Sequence, residues 1–246
     1  MGHVLILALD TSSPSGSIAV LRDETIIGTA STWREEVHST QMFRQIDFLL
    51  QEFSLNLEEF ELFAVVTGPG SFTGLRVGLA AVKAWAEVYR KPIAAVSGLE
   101  AVAVQSHSAS QLLVPVLDAR RGQIYFGIYR RHGAPEQSCL LLEGEECVAT
   151  PEEFSEALRA RVQNSDFTIV TPSPDAIREA LSRLETTVAA SGRIRTDVVS
   201  DILAPHVGRL GYLHARRGEL ADALTLDANY IRRSDAELHL KEPSGS

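Results

Sequence analysis

Cysteine is scarce in this 246-residue sequence, which has only Cys139 and Cys147. Two such thiols make neither a disulfide framework nor a four-ligand zinc site, and they lack the close spacing of a redox pair. The chain is therefore expected to fold on its apolar core alone, in the reducing cytoplasm. Long hydrophobic runs are missing too. The first apolar stretch, residues 4–9, ends at Asp10 and is too short for a signal-peptide core or a membrane span. Basic charge is in deficit, with 23 Lys and Arg against 32 Asp and Glu, and the net charge of −9 repels a phosphate backbone. Any RNA contact is then local or made through a partner. The pairs Arg120-Arg121, Arg130-Arg131, Arg216-Arg217 and Arg232-Arg233 read as scattered solvated charge. Catalytic groupings are equally thin. His38 has Met42 rather than a second histidine four residues on, His107 stands alone, and neither a serine elbow nor a cysteine with a base is found. No catalytic residue and no metal ligand are assigned.

What is present is ordinary globular material, 45% hydrophobic and 22% charged, enough for a sizeable core. Residues 4–9, 16–21 and 25–31 are short apolar or alternating runs parted by turn-rich segments, which predicts a three-strand meander. A helical pattern over 39–53, a β-branched strand at 63–67, a second helix over 73–90 and a strand at 92–96 follow. Ser97-Gly98-Leu99-Glu100 reads as a capping box that opens a third helix. The second half repeats this order, with strands at 113–117, 123–129 and 138–148, then a helix announced by Thr150-Pro151-Glu152-Glu153. A strand at 167–170, a helix from Ser173-Pro174-Asp175, a strand at 187–190 and a helix over 205–217 stopped by Gly218 complete it. The fold class is thus α/β, a βββαβα unit written twice. It is similar in plan to the paired ribonuclease-H-like lobes of the actin, sugar-kinase and Hsp70 superfamily, a likeness that does not fix function. The lobes are expected at residues 1–107 and 108–246, the last helix packing back on the first lobe, with the boundary within 105–111.

Asp10-Thr11-Ser12-Ser13 follows the first strand, where kinases of that superfamily carry an acidic residue and a phosphate-holding turn. An Asx-type hairpin turn accounts for the same residues without a ligand. The matching turn of the second half, Asp118-Ala119-Arg120-Arg121-Gly122, has two arginines where a phosphate loop wants glycine. After the strand ending at Val170 comes Thr171-Pro172-Ser173-Pro174, with no glycine pair for an adenosine to rest on. Two of three nucleotide contacts are missing, so Asp10, Thr11, Ser12, Ser13, Asp118, Arg120 and Arg121 read as vestigial phosphate turns, and no cofactor is expected. The run Gly68-Pro69-Gly70-Ser71-Phe72-Thr73-Gly74-Leu75-Arg76 leads from a strand into a helix, capped by Ser71 or Thr73. Such a helix start can hold an anion. It is no Walker loop, however, and tight strand-to-helix packing explains its glycines as well.

The helices say more than the loops. Along residues 73–90 the charges Arg76, Lys83, Glu87 and Arg90 fall 7, 4 and 3 apart, on one narrow stripe, and nearly everything else is apolar or small. A helix covering only its own sheet needs an apolar arc of roughly 100°, so this one is expected to be buried on two sides, with Gly74, Gly78, Ala81 and Ala84 allowing close approach. In 39–53, Met42, Phe43, Ile46, Leu49, Leu50 and Phe53 share a core-facing arc of roughly 120°, while Phe48 falls opposite. The expectation is a helical surface that meets another protein. Its residues are Met42, Gln45, Phe48, Leu49, Gly70, Phe72, Thr73, Gly74, Leu75, Val77, Gly78, Ala81, Val82 and Trp85. A merely well-covered core is the alternative.

Leu7-Ala8-Leu9-Asp10-Thr11-Ser12, His38-Ser39, the GPGSFTGLR run of 68–76, the DARRG run of 118–122 and Tyr230-Ile231-Arg232-Arg233 together resemble the TsaB (YeaZ) family. The resemblance covers nearly the whole chain, residues 138–204 matching by pattern rather than motif. It implies a non-catalytic subunit of the bacterial machinery that attaches threonylcarbamoyl to the adenosine next to the anticodon of certain tRNAs. It also implies a heterodimer, through the two helices of the first lobe, with the catalytic paralogue TsaD, which carries the metal-binding histidines and the nucleotide site. A small ATPase, TsaE, joins that complex, threonylcarbamoyl-adenylate is the donor, and tRNA is reached only indirectly. Left alone, the same apolar surface is expected to form a homodimer. The competing expectation is an actin-like ATPase or phosphotransferase, with Asp10 holding a metal and residues 11–13 gripping phosphate.

Overall fold

The computed structural model describes residues 3–32, 39–133, 139–162, 165–188, 193–229 and 231. Strand burial dictates the first sheet. β1 (Leu5–Asp10) and β4 (Leu62–Gly68) are apolar and buried on both faces, as central strands must be, whereas β3 (Thr25–Ser31) is largely open along an edge. With β2 (Ser17–Arg22) and β5 (Ile93–Ser97) the order is β3-β2-β1-β4-β5, β1 pairing antiparallel with β2 and parallel with β4. The two-residue period sorts β1 between two cores. Leu7 and Leu9 pack under α1 (Ser39–Phe53) and α2 (Phe72–Tyr89) with Ile46, Leu79 and Val82. Ile6 and Ala8 face the opposite way, against Ala204, Val207 and Leu210 of α6 (Ala204–Arg217). The last long helix of the described chain therefore covers the first sheet. Close contact is possible because Gly211 lies on Ala64, where an added Cβ would come within 2.7 Å of the alanine methyl.

The short α3 (Gly98–Ala103) leads to the second sheet. Its strands are β6 (Leu112–Arg120), β7 (Gln123–Phe126), β8 (Tyr129–His132), β9 (Cys139–Leu142), β10 (Cys147–Ala149), β11 (Phe167–Thr171) and β12 (Ile194–Val198), with α4 (Pro151–Val162) and α5 (Arg178–Val188) between them. The path β10-β7-β6-β11-β12 reproduces the order of the first sheet, so the repeated βββαβα plan is present. Two single strands of the sequence reading are each divided. β7 pairs with the end of β6 and β8 with its beginning, which makes residues 123–132 one strand bent at Gly127-Ile128; β9 and β10 follow the same bend. The strand expected at 187–190 is a correction: Thr187 and Val188 close α5, whose Ala180 and Leu184 are buried, while residues 189–190 lie outside the described set. A helix already anchored overrides the β preference of its last residues. The edge strand is Ile194–Val198 instead, disguised by its charged residues Arg195 and Asp197.

Local signals at helix starts hold with one change. Thr150 and Glu153 form the reciprocal box, Thr150 N donating to Glu153 Oε2 (2.8 Å) and Glu153 N to Thr150 Oγ1 (3.3 Å). At α3 only half the box forms: Ser97 Oγ accepts from Leu99 N and Glu100 N, but the Glu100 carboxylate lies 3.5 Å from His214 Nε2 of α6. That hydrogen bond raises the His214 pKa from its ordinary value, against the effect of burial.

Candidate functional site

The carboxyl ends of β1, β4 and β5 form the edge where ligands of parallel sheets ordinarily bind. Asp10 ends β1 and is fully buried; its carboxylate accepts from Ser12 N (2.8 Å), Ser12 Oγ (2.6 Å) and Ser13 Oγ (3.2 Å). Burial pushes the Asp10 carboxyl up, the serine bonds draw it back, and the nearby Asp201 adds to the upward push. Thr11 Oγ1 donates to Gly74 O (2.8 Å), and Ser71 N donates to Ser12 O (2.8 Å). These donors serve the chain's own acceptors. On the other side Ser15 donates to Asp201, and Ser17 Oγ accepts from Ala204 N (3.1 Å), so the start of α6 covers the hairpin. The turn is an internal Asx-type structure, clamped between two helix starts.

The glycine-rich loop provides one half of that clamp. A Cβ on Gly74 would stand 1.9 Å from Thr11 O, one on Gly70 2.6 Å from Ser12 O and one on Gly78 2.4 Å from Thr11 Oγ1. Only glycine lets α2 lie directly on the β1 turn. Ser71 caps the helix by accepting from Gly74 N (3.3 Å). In the second half, Asp118 Oδ1 accepts from Arg120 N (2.7 Å), and Arg120, Arg121 and Gly122 all have positive φ, which describes a tight hairpin turn. Thr171 Oγ1 similarly accepts from Ser173 N (3.2 Å) in the turn after β11. Among the described residues no group of three or more His, Cys, Asp and Glu side chains is placed to hold a metal ion. No described helix is long and apolar enough to cross a membrane. His38, Tyr230, Arg232 and Arg233 lie outside the described residues.

The partner surface read from sequence needs correction. Met42, Leu49, Gly74, Leu75, Gly78, Ala81 and Val82 are buried in the chain's own core, because α1 packs on β2 and β3 and α2 on β1 and β4 with these faces. Gly70 abuts Ser12, and Gln45 Nε2 donates to Thr32 Oγ1 (3.0 Å). The outer face of α2 carries Thr73, Arg76, Ala80, Ala84, Glu87 and Val88, with Phe72, Val77 and Trp85 half-buried beside them. Phe48 is 58% exposed, opposite the core face of α1. Phe43, expected inside, is 46% exposed, because Met42, Ile46 and Leu49 fix the inward line and leave it at the seam between helices. There its ring meets Trp85 edge-on at 6.3 Å, and Trp85 lies 5.8 Å from buried Phe63. Val88 is 70% exposed. Ala80, Ala84 and Val88 recur every four residues, a spacing that groups them on one line of the helix but does not say that the line points outward.

The family model described as TsaD, tRNA N6-adenosine threonylcarbamoyltransferase, matches residues 31–185. The tRNA threonylcarbamoyladenosine biosynthesis protein TsaB of Bacillus subtilis (strain 168) is 38% identical over 133 residues, 54% of this chain and 58% of that protein. The chain thus spans less than two thirds of the length of the curated relatives it matches. Among solved structures, YeaZ from Pseudomonas aeruginosa has a TM-score of 0.71 at 23% identity, covering 92% of this chain and 99% of that one. A ROK hexokinase from Thermus thermophilus has a TM-score of 0.51 at 9% identity, covering 86% of this chain and 100% of that one. These two likenesses are of fold, the two-lobed architecture of sugar kinases.

Proposed function

Because the chain belongs to the tRNA N6-adenosine threonylcarbamoyltransferase family, on its TsaB/YeaZ branch, we propose that it is a non-catalytic subunit that docks on and activates a TsaD-type threonylcarbamoyltransferase. The observation that carries this reading is the outer line of α2. Thr73, Val77, Ala80, Ala84 and Val88 run along a helix whose other face is already buried, next to exposed Phe43 and Phe48 of α1. Small residues let a partner helix approach closely, and exposed aromatics at the margin supply anchors. The closed turn around Asp10 supports a docking role over a phosphotransferase role, since its hydroxyls are bonded within the chain. In this reading the two lobes, residues 1–107 and 108–246, form one platform in the cytoplasm. A TsaE-type ATPase joins the assembled pair, tRNA is contacted through the partner, and the isolated chain self-associates through the same helices.

Titration of the TsaD-type protein from the same organism against purified variants tests the proposal. Ala84→Arg places a charge on the small-residue line, and Phe48→Glu removes an anchor; each is expected to weaken binding at least about a hundredfold, as loss of a central contact does. Both are surface changes, so the unfolding free energy from urea titration should stay within about 0.5 kcal/mol of the parent. Binding at parental strength by both variants rejects the docking face. Micromolar affinity of the isolated chain for magnesium and ATP would instead favour the phosphotransferase reading.

A further inference from the structure

The segment following α6 is fastened to the first lobe like a strap. Ala221 N donates to Ile93 O (2.8 Å) and Ile93 N to Ala221 O (3.0 Å), an antiparallel bridge at the start of β5. Leu226 is buried in the core beneath α1 and α2. Asn229 N then donates to Thr67 O (2.8 Å), and the Asn229 carbonyl oxygen occupies the space a side chain on Gly68 would need, 2.5 Å from an added Cβ. Gly68 has a φ of 138°, a region nearly closed to other residues. At Asn229 the strap therefore meets the first residues of the loop that leads into α2.

Glu146, in the turn before β10 of the second lobe, holds the strap at that point. Its Oε2 accepts from Asn229 Nδ2 (3.0 Å), and its Oε1 accepts from Tyr129 OH of β8 (2.6 Å) and from the Ser97 hydroxyl. Ser97 is also the cap of α3. One carboxylate thus receives bonds from the β5–α3 junction of the first lobe, from a strand of the second lobe and from the strap. Hydrogen bonds to a largely buried carboxylate are charge-assisted and directional. Domains can rotate as bodies about their connections, and a rotation of one lobe against the other would have to break at least one of these bonds.

We infer that Glu146 is a clasp: it fixes the two lobes at one angle and, through Asn229, positions the Thr67–Gly68 corner from which α2 departs. It is a positioning residue, acting on α2 through other groups. Glu146 makes these contacts whether or not α2 docks on a partner.

Native-state hydrogen exchange on the full chain tests it, with Ser71, Gly74 and Leu75 as reporters because each amide is hydrogen-bonded at the start of α2. In Glu146→Ala and in Asn229→Ala these amides should exchange about tenfold faster or more, the scale expected for loss of a bond to a charged group, while β1 and β2 keep their protection. A node that merely contributes stability would raise exchange evenly through the chain. Either that even rise or unchanged exchange at the three reporters overturns the clasp. Should Glu146→Ala not fold, Tyr129→Phe removes a single donor and, with Asn229→Ala, gives the same readout. The double variant Glu146→Ala/Asn229→Ala should open the reporters no further than Glu146→Ala alone, as for two members of one linkage; additive effects would contradict it.

Discussion

Gly74→Ala is expected to destabilise the protein by about 1–3 kcal/mol, even though alanine is the better helix former. The propensity gain is about 1 kcal/mol. Against it, the new methyl would stand 1.9 Å from the Thr11 carbonyl oxygen, a backbone atom that cannot swing away. Overpacking of this kind costs about 1–3 kcal/mol and occasionally more, and shifting α2 to relieve it also breaks the Thr11–Gly74 hydrogen bond, worth about 1 kcal/mol. Gly16→Ala is the matched control. Its added methyl would lie 3.7 Å from Asp10 O, an ordinary contact, so a change within about 0.5 kcal/mol is expected. Urea unfolding of both variants decides the matter. A Gly74→Ala protein as stable as its parent would mean that α2 does not rest on the β1 turn.

This contrast marks what can be read from sequence and what cannot. That the glycines of the 68–76 run serve packing is one of two readings the residues allow, and only the position of the Thr11 carbonyl against Gly74 separates them. The apolar runs of β1 and β4 and the Thr150 cap of α4 are local signals, so both were legible. The division of residues 123–132 into β7 and β8 was not, because the bend at Gly127-Ile128 depends on which part of β6 each half pairs with. Glu100 illustrates the same limit from the side-chain end. Its place in a capping box is a statement about its own helix, yet the histidine that claims it stands on α6, more than a hundred residues away in the chain.

The outward line of α2 is legible in sequence as an apolar excess, and its direction is fixed only by the fold. Counting apolar positions on α2 says that the helix carries more apolar surface than its sheet side needs, but the count alone does not say which positions point at the sheet. It cannot tell whether Gly78 and Ala81 or Ala80 and Ala84 point at β1 and β4. The Thr11 turn supplies that direction by requiring glycine at 74 and 78, which turns Ala80, Ala84 and Val88 outward. The strap and its clasp left no comparable trace. Glu146 sits among acidic neighbours at 143 and 145, and its three bonds come from residues 97, 129 and 229, so long-range geometry alone singles it out.

Acid should weaken the fold through His206, and the sign follows from the burial of its ring. His206 lies on α6, and burial pushes its pKa down to about 4 from 6.5, helped by the positive charge of Arg209 and by His107. The unfolded chain therefore takes up this proton first. Stability is undisturbed above about pH 6.5 and is lost as pH falls toward the folded value, by about 2 kcal/mol at pH 5 and about 3 kcal/mol at pH 4, from 1.36 kcal/mol per unit. Other buried groups act in the opposite sense. His214, raised by Glu100, contributes stability that is complete below 6.5 and fades as pH rises through its folded value, and Asp10 and Glu146, raised by burial, also favour acid. The His206 contribution is isolated by difference. His206→Gln, neutral throughout, should differ from the parent in unfolding free energy by a fixed amount above pH 6.5 and gain on it progressively below, by up to about 3 kcal/mol at pH 4. A difference between variant and parent that stays constant from pH 7.5 to 4 would place His206 in contact with water and remove it as the acid-sensitive group of α6.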